Sequence, residues 1–328
     1  MTRIVPRILA LLAAVLACGA CSPAFSLEAE PTELALLPSS SNLVISLDYA
    51  TLRKSDLVSD MESRLDSLPE ASENYRRFVK ETGLDPRQDT DQILVSVKDA
   101  EGSGDGFLLV ARGRFGASRL VDAAVAKGGA VSTLKGGVRM WTAPPEGPAS
   151  SGKTPMAMAQ PTESMLIFGS EAEVQRAVAV MMRTKSPAPR EVRFRNLLAG
   201  VDRKAPAWAV LNSKGLAERF ASEIAKGGDA SKSEAFAAVD SVRVMAWLGK
   251  EVDLKIQVDA KDKESAGLLG DLFRGMAAAG KLAVKDSDPE ALKALQEMSI
   301  VDTGAGVEIK MRIPGSRLRP PQTVGSTE

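Results

Sequence analysis

The chain contains no histidine and only two cysteines, Cys18 and Cys21. Without imidazole it lacks the usual general base, the commonest zinc ligand and every Ser-His-acid or Cys-His arrangement. Both cysteines stand in the first 26 residues, so the folded part beyond them has no disulfide of its own. Net charge is missing too: 42 basic and 42 acidic residues cancel. No long-range field therefore draws the chain toward nucleic acid or another polyanion. The apolar run from Ile8 to Ala17 is too short for a bilayer, which takes about 20 apolar residues. What remains is 328 residues at 44% hydrophobic, enough for one large or two medium domains with real cores.

The first 26 residues read as an export signal: Arg3 and Arg7 precede the apolar run, and small residues follow. Small residues leading to a cysteine resemble the lipobox of bacterial lipoproteins, in which the cysteine becomes the acylated first residue. Cys21 is the acceptor in "CGAC", although Cys18 is unusual three places before it. Cys18 is the alternative acceptor in "VLAC". A third reading is ordinary cleavage after Ala24 to Ser26, which discards both cysteines. Acylation would hold the chain on a membrane surface without a spanning helix.

Beyond the signal, strand-like and helix-like segments alternate. Asn42 to Tyr49 is a strand; Lys54 to Thr82 is predicted as one helix carrying Val58, Met61, Leu65 and Leu68 on one face, stopped by Gly83. Gln92 to Val97 and Gly106 to Phe115 form a pair across the turn-rich "EGSGDG". Ser118 opens a helix that Gly128 and Gly129 close, and two strands then meet at Gly136 and Gly137. A strand at Ser164 to Gly169 leads into a helix from Glu171 to Arg183, with Ser170 and Glu173 spaced as a capping box. Later come a strand at Ala207 to Ser213, a stripe of Leu216, Phe220 and Ile224, and the hairpin "SVRVMAWLG" with "VDLKIQVDA". A helix with Leu269, Leu272, Phe273 and Met276, a second one started by Pro289, and the strands "SIVD" and "GVEIKMRI" complete the chain.

The expected architecture is α+β: two tandem β-α-β-β-α-β-β units, mostly antiparallel, with helices packed on one face. The expected divisions are a signal at 1–26, a domain at 36–183 with an exposed loop at 143–163, and a basic connector with a short helix at 184–205. A second domain at 206–313 and a flexible tail at 314–328 follow.

One motif invites a specific activity. Gly147 to Thr154, "GPASSGKT", spells the phosphate-binding loop of nucleotide hydrolases. Such a loop works between a buried strand and the first turn of a helix, whose N–H groups hold the phosphates. Here Pro144 and Pro145 stand before it and Pro155 and Pro161 after it, so the stretch reads as an excursion between strands and no nucleotide is expected.

The other constellations have structural readings. Ser132 and Lys135 share the Ser-x-x-Lys spacing, but a strand points them to opposite faces; Ser150 and Lys153 repeat it inside the loop. Asp85, Asp89 and Asp91, and Asp286, Asp288 and Glu290, lack calcium-loop spacing. Asp288-Pro289-Glu290 reads as a helix cap. Met156 and Met158 are too few for a copper site. Between Arg183 and Lys204 basic residues surround Phe194, but Phe194, Leu197, Leu198 and Val201 have the spacing of a core-facing helix. No catalytic, cofactor or metal residue is therefore assigned, and Cys21, or alternatively Cys18, is the one modification site expected.

"LLP" at Leu36 to Pro38, "TGLDPRQDTDQILVSV" from Thr82, "ARGRF" from Ala111 and "AWAV" from Ala207 resemble an uncharacterised family of exported bacterial proteins. That resemblance implies no activity, catalytic residue or cofactor. The functional expectation is a non-enzymatic binding or scaffold module of the bacterial cell envelope, periplasmic or membrane-anchored, with an unknown envelope macromolecule as partner. The alternatives are an extracytoplasmic hydrolase or transferase using carboxylates or a Ser-Lys pair, and a carrier of small ligands or lipids. An enzyme should gather such groups from several segments into one concave pocket.

Overall fold

Residues that alternate between apolar and polar put their apolar side chains on one face of an extended chain, and here that period builds the sheet around which the helices pack. The computed structural model describes residues 33–38, 41–98, 106–116, 119–144, 154–187, 192–213 and 236–315, without the side chains of residues 193 and 194. Cys18, Cys21, most of Gly147 to Thr154, Ser118, Ser150, Lys153, the stripe Leu216, Phe220 and Ile224, and the tail beyond residue 315 lie outside the described residues.

Among the described residues twelve strands form one sheet. They are β1 (Leu43–Asp48), β2 (Thr90–Val97), β3 (Phe107–Gly113), β4 (Ala130–Thr133), β5 (Arg139–Thr142), β6 (Met156–Thr162), β7 (Met165–Ser170), β8 (Ala207–Asn212), β9 (Val239–Leu248), β10 (Glu251–Ala260), β11 (Ser299–Asp302) and β12 (Gly306–Pro314). Their spatial order is β11-β12-β10-β9-β8-β1-β2-β3-β7-β6-β5-β4, with antiparallel neighbours throughout. The mixed α+β, antiparallel expectation is met.

Strands from the two halves of the chain join at the centre, where β1 pairs with β8 from Leu43 opposite Leu211 to Leu47 opposite Ala207. Moving outward, β1-β2-β3 on one side answers β8-β9-β10 on the other. Farther out the sides differ, with β7-β6-β5-β4 against β12-β11. The equal seven-element units expected from the sequence are thus not reproduced strand for strand.

The described helices are α1 (Tyr49–Leu52), α2 (Asp56–Ser67), α3 (Pro69–Thr82), α4 (Pro86–Asp89), α5 (Leu120–Ala126), α6 (Glu171–Met181), α7 (Val192–Ala199), α8 (Lys263–Val284) and α9 (Pro289–Glu297). They do not all share a face. Ile45, Val95 and Leu109 point toward α1 and α2, and in register with Ile45 lie Val244, Ile256 and Ile309, of which Ile256 and Ile309 pack toward α8. The opposite face carries Val44, Leu94, Leu108 and Val210, covered by α6, α7 and the 3₁₀ turn Glu33–Leu36. Arg112 of β3 bonds Glu33, and Arg176 of α6 donates to the Leu36 carbonyl. Those bonds hold Leu36 and Leu37 in the largest core cluster.

Three boundaries differ from expectation. The predicted helix from Lys54 to Thr82 is broken at Leu68, whose extended backbone precedes Pro69 at the first position of α3. Proline disfavours helical geometry in the residue before it, so one amphipathic stretch becomes two helices and Leu68 is left exposed. Within the predicted loop at 143–163 the chain forms β6, where Met158 packs with Leu84 and Phe115; Pro161 sits beyond the last regular pair, at the register shift between Ala159 and Thr162. Ser170 and Glu173 make no capping box: the Ser170 hydroxyl donates to the Phe107 carbonyl, and Glu173 pairs with Arg176.

Candidate binding surface

The last strands alternate strictly. In β9, Ser241, Arg243, Met245 and Trp247 share one face; in β10, Asp253, Lys255, Gln257 and Asp259; in β12, Glu308, Lys310 and Arg312. Their apolar neighbours, Val242, Ile256, Val258, Val307 and Ile309, face the other way against Leu269, Leu272 and Phe273 of α8. Burying that side leaves the charged residues of β10 and β12 outward, while on β9 Ser241 and Met245 are buried and Trp247 packs against the main core, on the face that α6 and α7 cover nearer the sheet centre.

The charges stand in three rows. Nearest the centre, the Arg243 guanidinium donates to both oxygens of Asp259 at 2.8 Å, and the Ser241 hydroxyl donates to Asp259 at 2.7 Å. A side chain added at Gly200, just after α7, would collide with that guanidinium. In the middle row register places Lys255 directly opposite Lys310, a repulsive pair. Glu308 lies between them, 2.8 Å from each ammonium, and also accepts from Gln257 at 3.0 Å. The Lys255 hydrogen bond first, then that of Lys310, pulls the Glu308 carboxyl from 4.5 down to about 2. In the outer row Arg312 donates to Asp253 at 2.8 Å and lies 3.3 Å from Glu251.

Four cations therefore alternate with four anions on a rigid sheet. Nothing in this pattern favours a polyanion. It can present fixed donors and acceptors to a polar protein or glycan surface of complementary pattern.

A second concentration of titratable groups lies under α2 and α3. The Arg53 side chain, almost wholly buried, donates to the Gln88 and Thr90 carbonyls at 3.1 Å and to Asp91 at 2.5 Å, with its guanidinium 5.8 Å from the Tyr49 ring centre. Arg87 forms two bonds to Asp66, 2.7 and 2.6 Å, and stacks 4.0 Å from the Tyr75 ring centre. Tyr75 donates to Asp85 at 2.6 Å, and Tyr49 to Glu62 at 3.3 Å. Burial raises the Glu62 pKa, with Arg87 opposing it, whereas the Arg87 hydrogen bond lowers that of Asp66. The cluster Asp85, Asp89 and Asp91 is consumed here: Asp85 caps α4, Asp89 accepts from the Asp85 N–H, and Asp91 pairs with Arg53. These oxygens face protein donors, as the structural reading expected. Beside them lies a shallow open groove of about 660 Å³, lined by Asp66, Ser72, Arg76 and Lys80 among others, all from the α2–α3 pair. Its lining comes from one helical hairpin.

The other sequence candidates fall as follows. Ser132 is in β4 and Lys135 in the turn after it, both exposed on the sheet edge. Met158 is buried in an apolar cluster and Met156 is half-buried. The Asp288 side chain accepts from the Ala291 N–H at 3.0 Å, with Pro289 first in α9. Leu197, Leu198 and Val201 enter the main core, as their spacing predicts. The charged rows of β9, β10 and β12 were not singled out from the sequence. Their signal was there, in the alternation of "DLKIQVD" and "VEIKMRI".

No protein-family model matches the chain, and no curated protein matches it in sequence. Among solved structures, one described as "Structure of crystal form I of TP0453" is similar, with a TM-score of 0.46 at 8% identity, covering 90% of this chain and 96% of that one.

Proposed function

We propose that the protein is an exported, lipid-anchored module of a bacterial cell envelope that binds another macromolecule through the charged face of β9, β10 and β12, without catalysing a reaction. The observation that carries this reading is the three-row mosaic of paired charges, held in register by β-ladders and backed by α8 and α9. Its supports for location are the signal-like start with Arg3 and Arg7 and the acceptor Cys21, or Cys18 in the other register. The absence of histidine, the usual general base, favours a binding module over the hydrolase and transferase alternative.

The test reverses the exposed outer charges. Lys310→Glu together with Arg312→Glu, in the full chain in its native membranes, is expected to stay folded, melting somewhat lower because the pairs with Glu308, Asp253 and Glu251 are lost, but to lose the protein's chemical cross-links to its neighbours. Unchanged cross-links would refute the surface. Intact-mass analysis of the same material should show a start at Cys21 or Cys18 with added acyl mass; a start near Leu27 would refute the anchor.

A further inference from the structure

Helix α8 has 22 residues, roughly 33 Å long at the usual rise. Ala266, Leu269, Gly270 and Ala277 bury one side of it. On the far side Leu268 is 47% and Leu282 76% exposed, and on the flank Met276 is 49% exposed. Solvent-facing apolar residues are ordinary when scattered, but these three share one helix. Leu268, Gly275 and Leu282 stand seven residues apart, with Ser265, Leu272 and Ala279 as the intervening set, which is a helix-pairing seam; Leu272 lies at its edge, half-buried and in part against the sheet core. A side chain added at Gly275 would meet nothing, so the middle of the seam is open to close approach.

We infer that two copies of the chain associate through α8, with the helices antiparallel. The charges flanking the helix choose the occupant and the register. Lys261 and Asp262 precede α8, and Lys285 and Asp286 follow it, all exposed. An antiparallel pair that sets Lys261 opposite the partner's Asp286 also sets Asp262 opposite the partner's Lys285, and the two-fold axis repeats both contacts. The same register brings Leu268 against the partner's Ala279, Gly275 against the partner's Leu272, and Leu282 against the partner's Ser265. Large thus meets small along the seam, as close helix packing requires. Opposed helix dipoles add to the preference. A parallel pair would instead oppose Lys261 to Lys261 and Asp286 to Asp286. One helix seam buries less than the roughly 1,200 Å² of a stable interface, so the dimer is a weak, concentration-dependent one.

The experiment introduces cysteines in the full chain with Cys18 and Cys21 replaced by serine, so that no native thiol competes. Leu268→Cys with Ala279→Cys is expected to give a disulfide-linked dimer under mild oxidation, because each cysteine meets the other residue's counterpart across the axis. Within one helix these positions are about 16 Å apart, so no internal disulfide competes. Either single variant should stay unlinked, as should Leu268→Cys with Met276→Cys. In sedimentation equilibrium, Leu268→Glu with Leu282→Glu should weaken association tenfold or more with no change in melting, since both side chains are exposed. Lys261→Asp should weaken it, and Lys261→Asp with Asp286→Lys should restore it. A wild-type chain monomeric at all concentrations, cross-linking by the single variants, or no rescue by the charge swap would each overturn the inference.

Discussion

Glu308 shows how one residue can decide whether two strands tolerate each other. β10 and β12 set Lys255 and Lys310 face to face, and the carboxylate between them turns a repulsion into a bridge. Glu308→Gln should cost about 1 kcal/mol at neutral pH, a modest figure because Lys310 is largely solvated. The pH dependence has a definite sign. The folded pKa is depressed from 4.5 to about 2, so the stabilisation is complete above 4.5 and fades as pH falls toward 2. Urea midpoints measured across that range should fall more steeply for wild type than for Glu308→Gln; parallel curves would remove Glu308 from this role. Glu62 behaves oppositely, since burial disfavours its charged form, and it adds nothing to this acid-side loss.

Among the elements, turns and caps were the parts most open to reading from the chain. Gly83 ends α3 at φ 69°, as its position after the helix predicts. Asp288-Pro289 opens α9 with the expected bond. Gly129 was read only as a stop, yet the structure requires more of it. Its φ is 107°, and an added Cβ would run into the Thr142 carbonyl and the Trp141 indole, whose N–H donates to Gly128 at 2.8 Å. Gly129→Ala should therefore cost about 2 kcal/mol or more and loosen β4 from β5. Equilibrium unfolding measures this directly, and a neutral substitution would show that the turn relaxes freely. The break at Pro69 was legible too, because the proline was in plain view within the predicted helix. The periodic apolar stripe nevertheless continues through Leu68, so periodicity alone predicts a single helix there.

For the whole molecule the decisive feature is the β1–β8 seam. The largest core cluster includes Val44, Leu94 and Ile167 from the first half together with Leu197, Val210 and Met245 from beyond residue 190. Neither half closes its core without the other, so unfolding should be a single cooperative transition. Tryptophans provide the check: Trp141 lies in the first half, and Trp208 and Trp247 in the second. A variant keeping only Trp141 and one keeping only the other two should report the same denaturant midpoint. Separate midpoints would mean two independent units.

Local order alone determined the near-complete list of strands, the helix starts with their caps, and the absence of imidazole chemistry. These rest on residue identity or on periods of two and 3.6 residues, which a few neighbours settle. Only the tertiary structure decided that two halves share one sheet, that α6 and α7 cover the face opposite α8, and that the charged sides of β9, β10 and β12 form a surface. Each depends on which distant segments bury each other's apolar sides. That choice is made by the summed burial of the whole chain, and no single segment carries it.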